Sequence, residues 1–190
     1  MENKDDIELI SKYLLGEEDA FKDIIQKYYK LIFRFLFNYL GGSFESADLT
    51  QEVFLKVWKN IKKYDKKYSF KTWIFTIARN TAIDFLRKKR ELVFSDFENE
   101  DGTVIFEDVI SDDELLPDEI FFNEENTKKL KKELEKLPLK YKEVILLKYQ
   151  EEMNFEEISV VLKRPVETVK SQHRRALILL RKNSNYSKYF

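Results

Sequence analysis

The sequence predicts an all-α protein of two small helical domains, and three observations carry that prediction. Gly and Pro number only 4 and 3 in 190 residues, so elements are rarely interrupted. Apolar residues recur at helical spacing over most of the chain. The third observation is charge. Residues 1–94 hold 18 basic and 14 acidic side chains, residues 95–125 hold 13 acidic and no basic ones, and residues 126–190 hold 16 basic and 8 acidic ones. A net charge of −1 therefore conceals two cationic blocks joined by an anionic strip. The expected organisation is a domain at 1–94, an acidic linker at 95–125 and a second domain at 126–190.

The elements follow in order. A short helix over Asp5–Leu15 should stop at Gly16, and a second, Glu18–Leu40, is apolar almost all round and belongs in a core. Gly41-Gly42 ends it. A third helix is expected over Ala47–Ile61, then a Lys-rich loop from Lys62 to Ser69, then a fourth helix from Phe70 to about Arg90. Residues 91–125 lack a sustained helical period and read as linker, with a short ordered piece near Val104–Ile110. Helices over Asn126–Leu137, Pro138–Gln150, Asn154–Leu162 and Pro165–Lys182 complete the second unit.

Composition excludes several classes of function. Zero Cys removes disulfides, thiol chemistry and cysteine metal sites, and a single His removes a histidine metal cluster. No P-loop, metal spacing or paired His/carboxylate motif is present, so no enzyme and no cofactor are expected. No apolar run approaches the roughly 18–20 residues of a membrane span, and the N-terminus is acidic, unlike a secretory signal. The expected compartment is the cytoplasm, without membrane insertion.

The segment from Met153 to Lys170 reads as a helix-turn-helix. Asn154 is a good N-cap, Glu157 stands three residues on to complete a capping box, and Met153 and Ile158 occupy the staple positions. Pro165 can open the second helix, where no intrahelical donor is needed. Val166, Val169, Ala176, Leu177 and Leu180 form one stripe of that helix, and Thr168, Lys170, Ser171, Arg174, Arg175 and Arg181 form the opposite arc. Such an arc offers donors to phosphates and to base edges in a major groove. His173, inside the apolar stripe, reads as a core or boundary histidine with nothing titratable placed to pair with it.

In the first unit, Leu49, Val53, Phe54, Val57, Trp58 and Ile61 cover one side of the third helix. Leu55 falls instead among Asp48, Gln51, Glu52 and Lys59, as an ordinary exposed Leu or the anchor of a protein interface. On the fourth helix, Phe70, Ile74, Ile77, Ala78 and Phe85 face inward, while Thr72, Thr76, Arg79, Asn80, Arg87 and Arg90 share an outward arc. Residues 59–90 carry 11 basic and 2 acidic side chains, with Tyr64, Tyr68, Phe70, Trp73 and Phe75 interleaved. Cations beside aromatic platforms suit single-stranded nucleic acid. Most of these rings should be core; Tyr64 and Tyr68, in the loop, are the exceptions.

Two strings, Asp48–Trp58 and Phe70–Arg87, resemble conserved region 2 of sigma-70 family RNA polymerase sigma factors, and Leu137–Val144 with the helix-turn-helix through Ala176 resembles region 4. Two such units with only a short linker resemble the extracytoplasmic-function (ECF, group IV) class, over about Asp19 to Lys182. The resemblance implies a factor that binds core polymerase, reads −35 and −10 promoter elements and promotes DNA melting. By it, Asp48, Gln51, Glu52 and Leu55 match the surface that docks on the β′ clamp helices, and the β flap is the second polymerase contact. Lys62, Lys63, Tyr64, Lys66, Lys67, Tyr68, Thr76, Arg79, Asn80 and Arg87 match the surface that captures the melted −10 element. Pro165, Thr168, Lys170, Ser171, Arg174 and Arg175 match the −35 reader. The linker matches the segment threading the RNA-exit region, and an anti-sigma factor is a possible partner.

Departures occur at the bend, where Lys163-Arg164 replaces the usual Gly-Val and should place a non-Gly residue at positive φ, and at Gln172 and His173 in place of the family's Arg and apolar residue. The rival reading is a conventional helix-turn-helix regulator with an N-terminal dimerisation or sensor unit, which would bind palindromic DNA as a homodimer. A helical scaffold would leave the basic face of 165–182 unexplained.

Overall fold

The computed structural model describes residues 2–96 and 132–183, and every regular element among them is helical. The first unit comprises α1 (Glu2–Leu14), α2 (Glu18–Tyr39), α3 (Ser46–Asn60), a 3-10 turn (Ile61–Lys63) and α4 (Phe70–Asp96). The second comprises a helical stretch at 132–135, α5 (Leu139–Ile145) continuing into a π turn (Leu146–Gln150), α6 (Phe155–Leu162) and α7 (Val166–Asn183). The expected ordered piece at Val104–Ile110 lies outside the described residues, as does most of the helix expected over Asn126–Leu137.

α2 is the axis of the first unit, burying Ile24, Tyr28, Ile32, Phe35, Leu36 and Tyr39 against α1, α3 and α4. Its end is fixed by Gly41 at φ 73, after which the Gly42 N–H reaches the Phe37 carbonyl at 2.8 Å. A left-handed residue closing a helix over this bond satisfies a terminal carbonyl, and glycine adopts it without a Cβ penalty. α4 is longer than periodicity predicts, running to Asp96 through Arg87–Arg90 and into the acidic strip. Charged residues are strong helix formers, so loss of the apolar stripe does not by itself stop a helix.

Two sequence assignments to helix faces, Trp58 and Thr72, fail. Trp58 is 53% exposed because α3 ends two residues on, and its packed side is completed by Leu49, Val53, Phe54 and Val57. Phe75, one of the rings expected in the core, is fully buried edge-on to Phe35 at 5.3 Å. Thr72, placed on the outward arc, is 1% exposed because it belongs to the first turn of α4 and bonds Ser69.

The two units do not keep separate cores. Val144, Leu146, Leu147, Met153, Ile158, Val161, Leu162 and Val169 join the α1–α4 residues in one continuous apolar cluster. A smaller cluster, Leu137, Ile145, Ala176 and Leu180, ties α5 to α7. Pooling apolar surface is the way two units too small for large cores gain burial.

At the helix-turn-helix bend Lys163 stands at φ 53, as the missing glycine predicts. Arg164 N–H bonds the Ser159 carbonyl at 3.0 Å and Lys163 N–H the Val160 carbonyl at 3.2 Å, the paired closure of a left-handed cap. Lys163→Gly should therefore stabilise the fold by up to about 1 kcal/mol, since the left-handed strain removed exceeds the entropy that glycine adds to the unfolded chain. A urea melt with a raised midpoint and unchanged slope is the expected outcome.

Candidate nucleic-acid and polymerase interfaces

On α7 the arc predicted to meet duplex DNA faces solvent: Thr168, Lys170, Ser171, Arg174 and Arg175 are all exposed, with Pro165 just ahead of the helix. The scaffold beneath is capped and packed. Asn154 accepts the Glu157 N–H at 2.8 Å, and Glu157 accepts the Asn154 N–H at 2.9 Å. Met153 and Ile158 are buried at the staple positions. Lys170 is drawn to Glu167 at 2.8 Å, a partner that holds its ammonium above its ordinary range. His173 is half-buried as expected, but it does have a titratable neighbour. Its Nε2 lies 3.0 Å from the Tyr149 hydroxyl, the two rings stack, and Phe155 meets the imidazole edge-on. Burial, reinforced by Lys148, lowers its pKa and favours the neutral ring.

The face built on α4 begins at Ser69, whose hydroxyl accepts the Thr72 N–H at 3.1 Å as an N-cap. In the preceding loop Lys62, Lys63, Lys66, Lys67 and Tyr68 are exposed, and the Lys67 ammonium lies 5.5 Å above the Tyr68 ring. Tyr64 parts company with Tyr68. It packs edge-on to Phe70 at 5.4 Å and donates its hydroxyl to the Tyr68 carbonyl at 2.7 Å, so it shapes the loop from the core side. Thr76 and Asn80 are partly exposed one turn apart, and Arg87 is exposed further along.

Arg79 has a different environment, with only 11% of its side chain exposed. Its Nε donates at 2.9 Å to Oε2 of Glu143, a buried carboxylate on α5 whose Oε1 lies 2.6 Å from Arg164 Nη1 at the bend. The Tyr39 hydroxyl lies 3.4 Å from Glu143 Oε2, and burial, then this carboxylate, push its pKa upward. Nearby, Asn38 Nδ2 donates to Gln150 Oε1 at 2.5 Å and Arg34 Nη2 to the Gln150 carbonyl at 3.2 Å. Glu151, 3.5 Å from Arg34, is raised in pKa by its burial. A cleft of about 570 Å³ opens beside these contacts, with Lys63, Trp73 and Thr76 on one wall and Ser159, Lys163 and Arg164 on the other. The ion-pair cluster was not legible from the sequence. Its one signal is an acidic residue, Glu143, opening an otherwise apolar run through Leu147.

On α3, Asp48, Gln51, Glu52 and Leu55 are all exposed on one surface. Leu55 is 56% exposed, and Trp58, one turn on, is 53% exposed beside it. Tyr29, also exposed, stacks on Phe54 at 6.2 Å from the neighbouring helix. An apolar centre ringed by charge is the anatomy of a protein contact.

Residues 24–91 match the Sigma-70 region 2 family and residues 127–180 match the Sigma-70 region 4 family. The ECF RNA polymerase sigma factor SigW of Bacillus subtilis is 35% identical over 169 residues, covering 88% of this chain and 90% of its own. The chain belongs to the ECF class of sigma-70 family RNA polymerase sigma factors. SigX of the same organism is 29% identical over 87% of this sigma factor and 84% of its own length. The sigma factor RpoE of Bartonella quintana, solved with the anti-sigma factor NepR, shares the fold at TM-score 0.65 and 23% identity over 85% of this chain and 94% of its own. CnrH, solved with the cytosolic domain of CnrY, gives TM-score 0.67 and 19% identity over 94% and 96%. These matches favour the sigma-factor reading over the dimeric regulator, and no described helix is long and apolar enough to cross a membrane.

Proposed function

We propose that this sigma factor divides promoter work among the three surfaces above. The α3 patch of Asp48, Gln51, Glu52 and Leu55 docks on the β′ clamp helices, with Trp58 widening the contact. The Lys62–Tyr68 loop and the α4 residues Thr76, Arg79, Asn80 and Arg87 hold the unpaired −10 strand. Pro165, Thr168, Lys170, Ser171, Arg174 and Arg175 read the −35 duplex while the second unit rests on the β flap. The unit boundaries are 1–94 and 126–190, with the acidic strip at 95–125 spanning the polymerase between them. The site of action is the cytoplasm, an anti-sigma factor is a further partner, and the protein performs no catalysis of its own.

Mechanism then reduces to differential binding. Unstacking bases costs a few kcal/mol per step, and the cost is offset where splayed bases meet Tyr68 and Trp73 while Lys side chains neutralise phosphates. The observation that carries this reading is the ordered pair of region 2 and region 4 matches combined with the solvent-facing cationic arc on α7. Run-off transcription with purified core polymerase, on a promoter selected from a randomised library by the holoenzyme, tests it. Wild-type protein should initiate and Asn80→Ala should lower open-complex formation about tenfold, as loss of one base contact of 1–3 kcal/mol requires. A homodimer that binds DNA equally well without polymerase, and no initiation with it, would overturn the reading.

A further inference from the structure

We infer that Gln172 is a base-reading residue of this sigma factor, and that Arg164 sets which base it reads by holding its amide in one orientation. The inference deepens the assignment of α7 to the −35 duplex and rests on it. Two departures from the family pattern, one at the bend and one on α7, meet in space: Arg164 Nη1 donates to Gln172 Oε1 at 3.0 Å. Gln172 stands one turn after Thr168 and one turn before Arg175, both exposed on the face assigned to the duplex, and is itself half-buried beside them. The rotation of α7 is fixed by Val169 and Ala176, which are fully buried, so Gln172 lines the edge of the reading face.

An arginine carries donors only, so the atom of Gln172 that meets it must be the carbonyl oxygen. A hydrogen bond to a charged donor favours this orientation about tenfold or more over the flipped amide, whose amino group would face the guanidinium. Arg164 is held in turn. Its backbone N–H bonds the Ser159 carbonyl at 3.0 Å in the cap at the bend, and its Nη1 lies 2.6 Å from Oε1 of Glu143, a buried carboxylate of the same helical unit. What remains for DNA is the amide nitrogen, a donor. An unrestrained glutamine pairs with adenine, donating to N7 and accepting from the N6 amino group at Oε1. That pairing needs the oxygen that Arg164 has taken. A donor-only amide is matched by guanine, whose N7 and O6 are both acceptors on one edge. Adenine N6 and cytosine N4 set donors against it, and thymine offers O4 alone. Gln172 therefore selects guanine, and Arg164 is its positioning residue.

The test is selection by holoenzyme from promoter duplexes randomised over the −35 element, read by sequencing the bound DNA. Wild-type holoenzyme should prefer guanine over adenine about fivefold or more at one position. Gln172→Ala should flatten that position and leave the others unchanged, as loss of a single base contact requires. Arg164→Val should move the same position from guanine to adenine, since the freed oxygen restores the two-bond pairing. Arg164→Met, which keeps an unbranched stem without a donor, should do the same and guards against a packing defect peculiar to Val. A residue that only supported the fold would lower binding to all sequences alike and leave the profile as it was. In Gln172→Ala protein, Arg164→Val should have no further effect on the profile, because Arg164 acts through the amide. The inference is overturned if Gln172→Ala flattens no position, or flattens one at which wild type favours any base but guanine. It is equally overturned if both Arg164 variants leave the profile unchanged, or if their effect persists without Gln172. Lys170→Glu with Arg175→Glu separates this failure from that of the underlying assignment. If that pair abolishes promoter binding while Gln172→Ala changes no position, the reading role of Gln172 alone fails; if the pair changes nothing as well, the assignment of α7 to the duplex fails.

Discussion

Leu55→Asp is expected to abolish assembly with core polymerase while leaving the fold intact. Leu55 is 56% exposed on the face of α3 opposite the buried Val53 and Val57, so its removal opens no cavity. Its neighbours Asp48, Gln51 and Glu52 are polar and exposed, and one of them, Glu52, already pairs with Lys56 at 2.7 Å. An apolar anchor seated in a partner's groove typically contributes 2 kcal/mol or more on truncation, and a charge placed there adds desolvation without a counter-ion. The expected loss is therefore about 30-fold or more in affinity for core enzyme, measured by co-sedimentation or fluorescence anisotropy with labelled protein. Trp58→Ala should give a smaller loss of the same kind. Thermal stability should stay within about 0.5 kcal/mol of wild type, as for other surface substitutions. Retention of wild-type affinity by Leu55→Asp would remove α3 from the polymerase contact.

Local chemistry made much of this legible in advance. The capping box at Asn154 and Glu157, the strained residue at the Lys163 bend and the misplaced Leu55 each depend on side chains within a turn or two of one another, which sequence records directly. Trp58 escaped because a helical wheel assigns faces without knowing where the helix ends or which neighbour covers its last turn. Tyr64 and Thr72 were misjudged for a related reason. Both sit at the entrance to α4, where a loop folds back and converts apparently outward positions into caps and ring contacts. The Glu143 cluster lies beyond any such reading, because its members are contributed by α2, α4, α5 and the bend between α6 and α7. Charge arithmetic gave no sign of it either, since two blocks of like sign repel at long range. What overrides that repulsion is a continuous apolar contact together with one buried anion placed between two arginines. Net charge describes long-range approach, and a single desolvated pair can decide what happens at contact.

The second large effect is expected from Lys170→Glu combined with Arg175→Glu. Both residues are exposed on the α7 arc, away from Val169, Ala176 and Leu180, which face the core. Reversal should therefore leave α7 folded; Lys170 loses its contact with Glu167, an exposed pair of little value to stability. At the promoter the change is severe. Two cations become two anions facing phosphates and base edges, where each good contact is worth about 1–3 kcal/mol and each phosphate contact adds about one to the salt slope. Promoter binding by holoenzyme should fall 100-fold or more, and the dependence on salt should flatten by about two. Affinity for core polymerase should be unchanged, because the α3 surface is untouched. Initiation on a template already opened as a bubble over the −10 region should recover most of its rate, since that template relies on α4 and no longer on duplex contacts. Failure on the bubble as well as the duplex would mean that α7 serves polymerase and not DNA; undiminished activity on duplex would mean that the basic arc is only a solvated face.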